Sequence, residues 1–202
     1  MIEDVSGVLI AGGRSRRMGQ DKRFMRVGGE SVFDRTLSLL RGTFVENIVV
    51  LAEPIEMLDV QACPVVYDVV PNAGSLGGLY TGLTAVSRPK IFAVACDMPF
   101  LDPEAILAML SHRESADVVV ARLSGRLQPM HTVYSKRCLP FLQAMAERKE
   151  LKIQKLFEQQ ALRVTVLGED DLRAFGPGFR SFQNVNTPDD LALAESPPAV
   201  QP

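Results

Sequence analysis

The chain has 202 residues, 47% of them hydrophobic, and a formal net charge of −2, values that suit one well-filled globular domain. A sequence pI near 5.8 argues against the basic face that nucleic-acid binding needs, and no apolar run reaches the ~20 residues of a membrane span. Met1-Ile2-Glu3-Asp4 is no basic leader, and the scattered Cys63, Cys96 and Cys138 form neither a CxxC pair nor a zinc framework, so a reducing, cytoplasmic setting is expected.

Val5–Ile10 reads as a buried strand that breaks at Gly12-Gly13 into Arg14-Ser15-Arg16-Arg17-Met18-Gly19-Gln20-Asp21-Lys22. Glycine lets a backbone turn sharply and approach a ligand, and successive exposed N–H groups make an anion-binding nest. Arg14, Arg16, Arg17, Lys22, Arg23 and Arg26 crowd this stretch, with only Asp21 against them. The spacing fits neither the Walker loop nor the dinucleotide fingerprint, which leaves a third kind of phosphate loop or a solvated basic one.

Ser31 caps a helix to about Arg41 that Gly42 ends. Asn47–Ala52 and Pro64–Tyr67 are strands, the second followed by Asp68. Ser75 to about Val86 reads as a helix despite Gly77, Gly78 and Gly82, each costing roughly 1 kcal/mol against Ala, so close packing or a ligand must justify them. The strand Lys90–Cys96 ends at Asp97, and Asp102-Pro103-Glu104 opens a helix in good cap order. Asp117–Ala121 and Met130–Tyr134 are strands around a Gly125 turn, and Ser135 caps a helix to about Glu147. Leu151–Gln159 is amphipathic, with Ile153, Leu156 and Phe157 turned to the core, and Leu162–Leu167 is a further strand. Thr187-Pro188-Asp189-Asp190 begins a final helix, and residues 196–202 read as a disordered tail, which leaves one domain over 1–195.

This alternation predicts a single Rossmann-like, three-layer α/β/α domain with a mostly parallel sheet. In such sheets ligands bind beyond the C-terminal strand ends, where Asp68 and Asp97 both fall. A carboxylate there can hold Mg²⁺ against phosphate, because hard cations take oxygen ligands, though a turn or cap role is open to both acids. His131 lies in an alternating strand near Arg126 and Gln128, and His112 follows a helix; two histidines rule out a histidine-rich metal site. Asn184 and Asn186 flank Val185 and share one face of an extended segment, where their amides could read a ligand edge or merely form an Asx turn.

Leu9-Ile10-Ala11-Gly12-Gly13-x-Ser15-x-Arg17-Met18-Gly19-x-Asp21-Lys22 resembles the signature loop of the molybdenum cofactor guanylyltransferases, of the nucleotide-diphospho-sugar transferase fold. Gly74-Ser75-Leu76-Gly77-Gly78-Leu79, Cys96-Asp97-Met98-Pro99-Phe100-Leu101, Gln128-Pro129-Met130-His131 and Asn184-Val185-Asn186-Thr187-Pro188 continue the match over about residues 5–195. The pattern departs at Leu51, where a polar residue is common, and at Ser75, where Pro is usual. The resemblance implies transfer of GMP from GTP to molybdopterin or Mo-molybdopterin, with release of pyrophosphate. It puts nucleotide on Leu9, Ile10, Ala11, Gly12, Gly13, Lys22, Asp68 and Asp97, catalysis on Arg17, Lys22 and Asp97, and Mg²⁺ on Asp97. It puts the acceptor on Gly77, Gly78, His131, Asn184 and Asn186. It further implies a monomer that touches molybdenum-insertion proteins or recipient molybdoenzymes transiently. A CTP-using relative, a transferase with another phosphorylated acceptor, or a non-catalytic nucleotide binder are the alternatives.

Overall fold

The computed structural model describes residues 1–12, 25–54, 63–173, 177–185 and 190. In chain order its elements are β1 (Val5–Ile10), a ribbon of β2 (Arg26–Val27) and β3 (Glu30–Ser31), α1 (Val32–Thr43), β4 (Asn47–Leu51) and β5 (Val65–Tyr67). There follow α2 (Gly74–Ala85), β6 (Lys90–Ala95), α3 (Pro103–Ser111), β7 (Val118–Leu123), β8 (Arg126–Leu127) and β9 (His131–Ser135). Last come α4 (Leu139–Glu147), β10 (Val164–Leu167) and α5 (Glu169–Leu172).

The sheet runs β10-β7-β9-β6-β1-β4-β5, with β8 paired to β7. Pairings are parallel except at β9, which opposes both β6 and β7, and at β8. The expected mostly parallel α/β/α domain is therefore what the chain forms. β1 is buried along its whole length, as an unbroken apolar run between two helix layers should be. On one face α1 and α3 pack Phe33, Leu40, Ile106 and Met109 over Leu9, Phe92 and Val94. On the other, α2 and α4 pack Leu76, Leu79, Leu83 and Leu142 over Val8, Ile10 and Ala93. Each such side chain removed from water contributes about 1.5–3 kcal/mol.

Local signals mostly decide where elements start. Ser31 Oγ accepts the Asp34 N–H at 3.0 Å, and Asp102 Oδ1 accepts the Glu104 N–H at 2.9 Å. Their ends follow packing instead. Gly42 does not stop α1, which runs to Thr43 because Phe44 is drawn fully into the core and breaks the helix there. Ser135 caps no helix: it precedes a 3-10 turn, Lys136–Cys138, and its hydroxyl faces the buried Asp117 carboxylate at 3.5 Å. The amphipathic segment forms a 3-10 turn, Ile153–Glu158, that buries Ile153 and Leu156 as expected. The final helix beginning at Thr187 and the tail at 196–202 lie outside the described residues. Among those described, no helix is long and apolar enough to cross a membrane.

Helix α2 explains its own glycines. A Cβ on Gly78 would stand 2.7 Å from Ile10 Cγ2, and one on Gly82 would stand 2.8 Å from Val8 Cγ1. At Gly77 it would meet Asp68 Oδ2 at 2.6 Å and the Val70 carbonyl oxygen at 2.9 Å. Gly77→Ala is therefore expected to destabilise the fold. Overpacking costs ~1–3 kcal/mol, and better helix propensity returns only ~1 kcal/mol. Thermal unfolding checks this; a melting temperature at or above wild type would mean that α2 can move off the sheet freely.

Candidate active site

Register brings the predicted acids to one edge. Ile10 pairs with Val50 and Ala95, and Leu51 pairs with Tyr67, so β1, β4, β5 and β6 all end together. Beyond those ends lie Ala11 and Gly12, then Asp68 and Asp97. The Ala11 N–H donates to Val50 O at 2.9 Å, and the Cys96 N–H donates to Ile10 O at 3.3 Å, so the first loop leaves from a fixed point. Gly12 needs its small size here, since a Cβ would come 3.2 Å from the Ala52 nitrogen. Arg17 and Lys22, with Gly13, Arg14 and Arg16, lie outside the described residues, as does Asn186.

Asp97 is half-buried at the end of β6, and its backbone carbonyl accepts the Val185 N–H at 2.8 Å. That bond closes the C-terminal segment against the strand end and sets Asn184, exposed, beside the acid. A divalent cation fits this place chemically, because Mg²⁺-type ions are held by one or two carboxylates and complete their shell with water and substrate phosphate. The described residues contain no group of three or more His, Cys, Asp or Glu side chains that could hold a metal ion.

Several predicted site residues turn out to support the edge from behind. Leu9 and Ile10 point into opposite cores and are 0% and 4% exposed, with strands paired on both sides of β1, so among the described residues of this run it is Ala11 and Gly12 that reach the rim. Gly77 and Gly78 are buried where α2 touches Asp68 and Ile10, and close packing rather than an acceptor accounts for them. Asp68 Oδ1 accepts the Val70 N–H at 2.9 Å and the Thr81 hydroxyl at 3.1 Å, which anchors that carboxylate to α2. His131 lines no pocket: it is 0% exposed, with its ring 4.0 Å from Phe182 and edge-on to Phe92 at 5.0 Å. Burial depresses its pKa to about 3 and keeps it neutral. Its Nε2 lies 2.9 Å from Ser181 Oγ, the spacing of a nucleophile and its base, but Ser181 is also buried and out of reach of substrate.

Next to Asp97 opens a cleft of about 620 Å³. Met98 and Asn184 line the side toward the strand ends, and Arg126, Gln128, Lys152 and Gln154 bring two cations and two amides from other parts of the chain. Sequence reasoning assigns Lys152 and Gln154 no role and marks Arg126 only as a neighbour of His131. Lys152 and Gln154 lie within the amphipathic segment Leu151–Gln159, where polar residues look like an ordinary solvated face, and only the fold reveals that they face a shared hollow.

A carboxylate at the strand ends beside a polar cleft suits an α/β enzyme that handles phosphates. The chain belongs to the family of the MobA-like NTP transferase domain, whose model matches residues 7–164. It is 36% identical to a probable molybdenum cofactor guanylyltransferase of Pelotomaculum thermopropionicum, over 94% of this chain and 91% of that one. It is 32% identical to a molybdenum cofactor guanylyltransferase of Desulfosudis oleivorans, over 96% of each. Among solved structures, molybdopterin-guanine dinucleotide biosynthesis protein A of Archaeoglobus fulgidus has the same fold, with a TM-score of 0.81 at 23% identity over 95% of this chain and 97% of that one. A 2-C-methyl-D-erythritol 4-phosphate cytidylyltransferase of Thermus thermophilus shares the fold more distantly, with a TM-score of 0.68 at 20% identity over 93% and 96% of the two chains.

Proposed function

We propose that this chain transfers the guanylyl group of GTP to the terminal phosphate of molybdopterin, free or carrying molybdenum. An acceptor phosphate oxygen forms a bond to the α-phosphorus of GTP, the bond between that phosphorus and the α–β bridging oxygen breaks, and pyrophosphate leaves. The observation that carries this is the position of Asp97, between the rim where Gly12 begins the basic loop and the cleft lined by Asn184.

Every reactant is anionic, so the protein's task is charge neutralisation and in-line placement. Arg17 and Lys22 are assigned to the triphosphate and the departing pyrophosphate. Asp97 would hold Mg²⁺, which when bound supplies Lewis-acid stabilisation of phosphoryl oxygens. The acceptor is assigned to the cleft, with Asn184 and Asn186 assigned to its pterin edge and Arg126 and Lys152 to its anionic groups. A phosphate nucleophile is already ionised, so the buried His131 need not act as a base.

Pyrophosphate release with each of the four NTPs, with and without molybdopterin, tests this. Release is expected with GTP and only when molybdopterin is present. Equal or faster release with CTP would make the chain a cytidylyltransferase, and tight GTP binding without release under any condition would make it a nucleotide-binding protein.

A further inference from the structure

Of the four pieces of chain that wall the cleft, three are tied to His131. Gln128, Pro129 and Met130 run directly into it at the start of β9. Met98 belongs to the turn that follows β6, and Asn184 follows the 3-10 turn Pro177–Phe182. Ser181 Oγ, 2.9 Å from His131 Nε2, also accepts the Asp102 N–H at 3.0 Å, which pins the far end of the Met98 turn. The near end is pinned by the Val185 N–H on the Asp97 carbonyl, at 2.8 Å. Between these pins the Arg180 guanidinium lies 4.5 Å above the Phe100 ring. Phe182, from the same segment, rests on the imidazole at 4.0 Å.

An apolar ring would face Phe92 and Phe182 without desolvating a polar group, at most with some crowding. What histidine adds is the bond to Ser181. That bond fixes the hydroxyl's orientation, and with it the seat of the Asp102 N–H. We propose that His131 is a positioning residue for the transfer: through Ser181 it sets the separation between the Asp97 turn and the Asn184 wall, so that the acceptor's terminal phosphate meets the nucleotide in line. The proposal rests on the guanylyl-transfer reading above, and its test has a readout that does not depend on turnover.

His131→Phe, His131→Gln and Ser181→Ala are compared with wild type, with molybdopterin and GTP as substrates. His131→Phe is expected to fold, to raise KM for molybdopterin up to about tenfold, and to leave KM for GTP unchanged, the scale of one lost hydrogen bond. Gln, which keeps a polar group toward Ser181, should recover part of the loss. Ser181→Ala should match His131→Phe, and the double variant should be no worse than either alone. Amide exchange at Asp102 and Val185 should quicken in His131→Phe and Ser181→Ala without substrate present. Unchanged exchange at both amides in the folded variants, or losses that add in the double variant, would overturn the proposal. If His131→Phe does not fold, Ser181→Ala carries the same comparison. If wild type makes no product, the guanylyl-transfer reading fails, while the exchange measurement still decides the role of His131.

Discussion

Asp97→Asn is expected to stay folded and to lose roughly 10²–10⁴-fold of its turnover, the rate equivalent of several kcal/mol of Lewis-acid stabilisation. The bond that ties the C-terminal segment to this residue uses the Asp97 backbone carbonyl, so the substitution leaves it in place. Asn also caps and turns about as well as Asp, so a purely structural Asp97 would tolerate the change. Pyrophosphate release measured beside a thermal melt separates the two roles. Intact activity with an intact melt would make Asp97 a turn residue and move the chemistry elsewhere on the edge.

Acidification is expected to weaken the fold through His131. Its folded pKa lies near 3 against an ordinary value of 6.5, because burial between Phe92 and Phe182 disfavours the imidazolium. The unfolded chain therefore takes up a proton that the folded chain refuses. Stability is full above pH 6.5 and declines as pH falls from there toward 3, by about 3 kcal/mol at pH 4. Asp117 does not confuse this window. Burial raises its carboxyl, but the Arg163 backbone N–H and the Arg163 and Arg137 guanidinium groups outweigh that and hold it below the ordinary 3.8. Its contribution is present above pH 3.8 and is lost only below it. Denaturant titrations from pH 7 to pH 4 should thus show a steep loss in wild type and a much flatter one in His131→Phe. Parallel slopes would mean that another group carries the acid sensitivity.

Sequence showed the architecture because the strands are short apolar runs bounded by strong punctuation: Gly12 after β1, Asp97 after β6, Asp102-Pro103 before α3. It also put Asp97 at the end of a buried strand, where the structure has it, although local spacing alone left a turn or cap role equally open. The site readings that burial does not favour share a physical cause. Gly77 and Gly78 look equally suited to a ligand or to a close-packed helix, and only the distances to Asp68 and Ile10 choose packing. His131 alternates correctly for a pocket, but period-two alternation names a face without saying whether another segment covers it. Here Phe182 does, from 51 positions further along the chain. Arg126, Lys152 and Gln154 join the cleft through tertiary folding alone, which leaves no trace in local spacing.

The reversed direction of β9 has one more effect. A parallel strand reaches the functional edge only with its last residues, and the chain must then cross the whole sheet to begin the next. β7 ends at that edge and β9 begins there, so the excursion from Ser124 to Met130 leaves and returns on the same side. It carries Arg126 and Gln128 into the cleft without a crossover helix depending on its length. That makes it an exchangeable cassette. Residues inserted or removed between Ser124 and Met130, beyond the short β8, are expected to reshape that wall of the cleft while the order of the other strands, both helix layers and the edge at Gly12 and Asp97 stay in place.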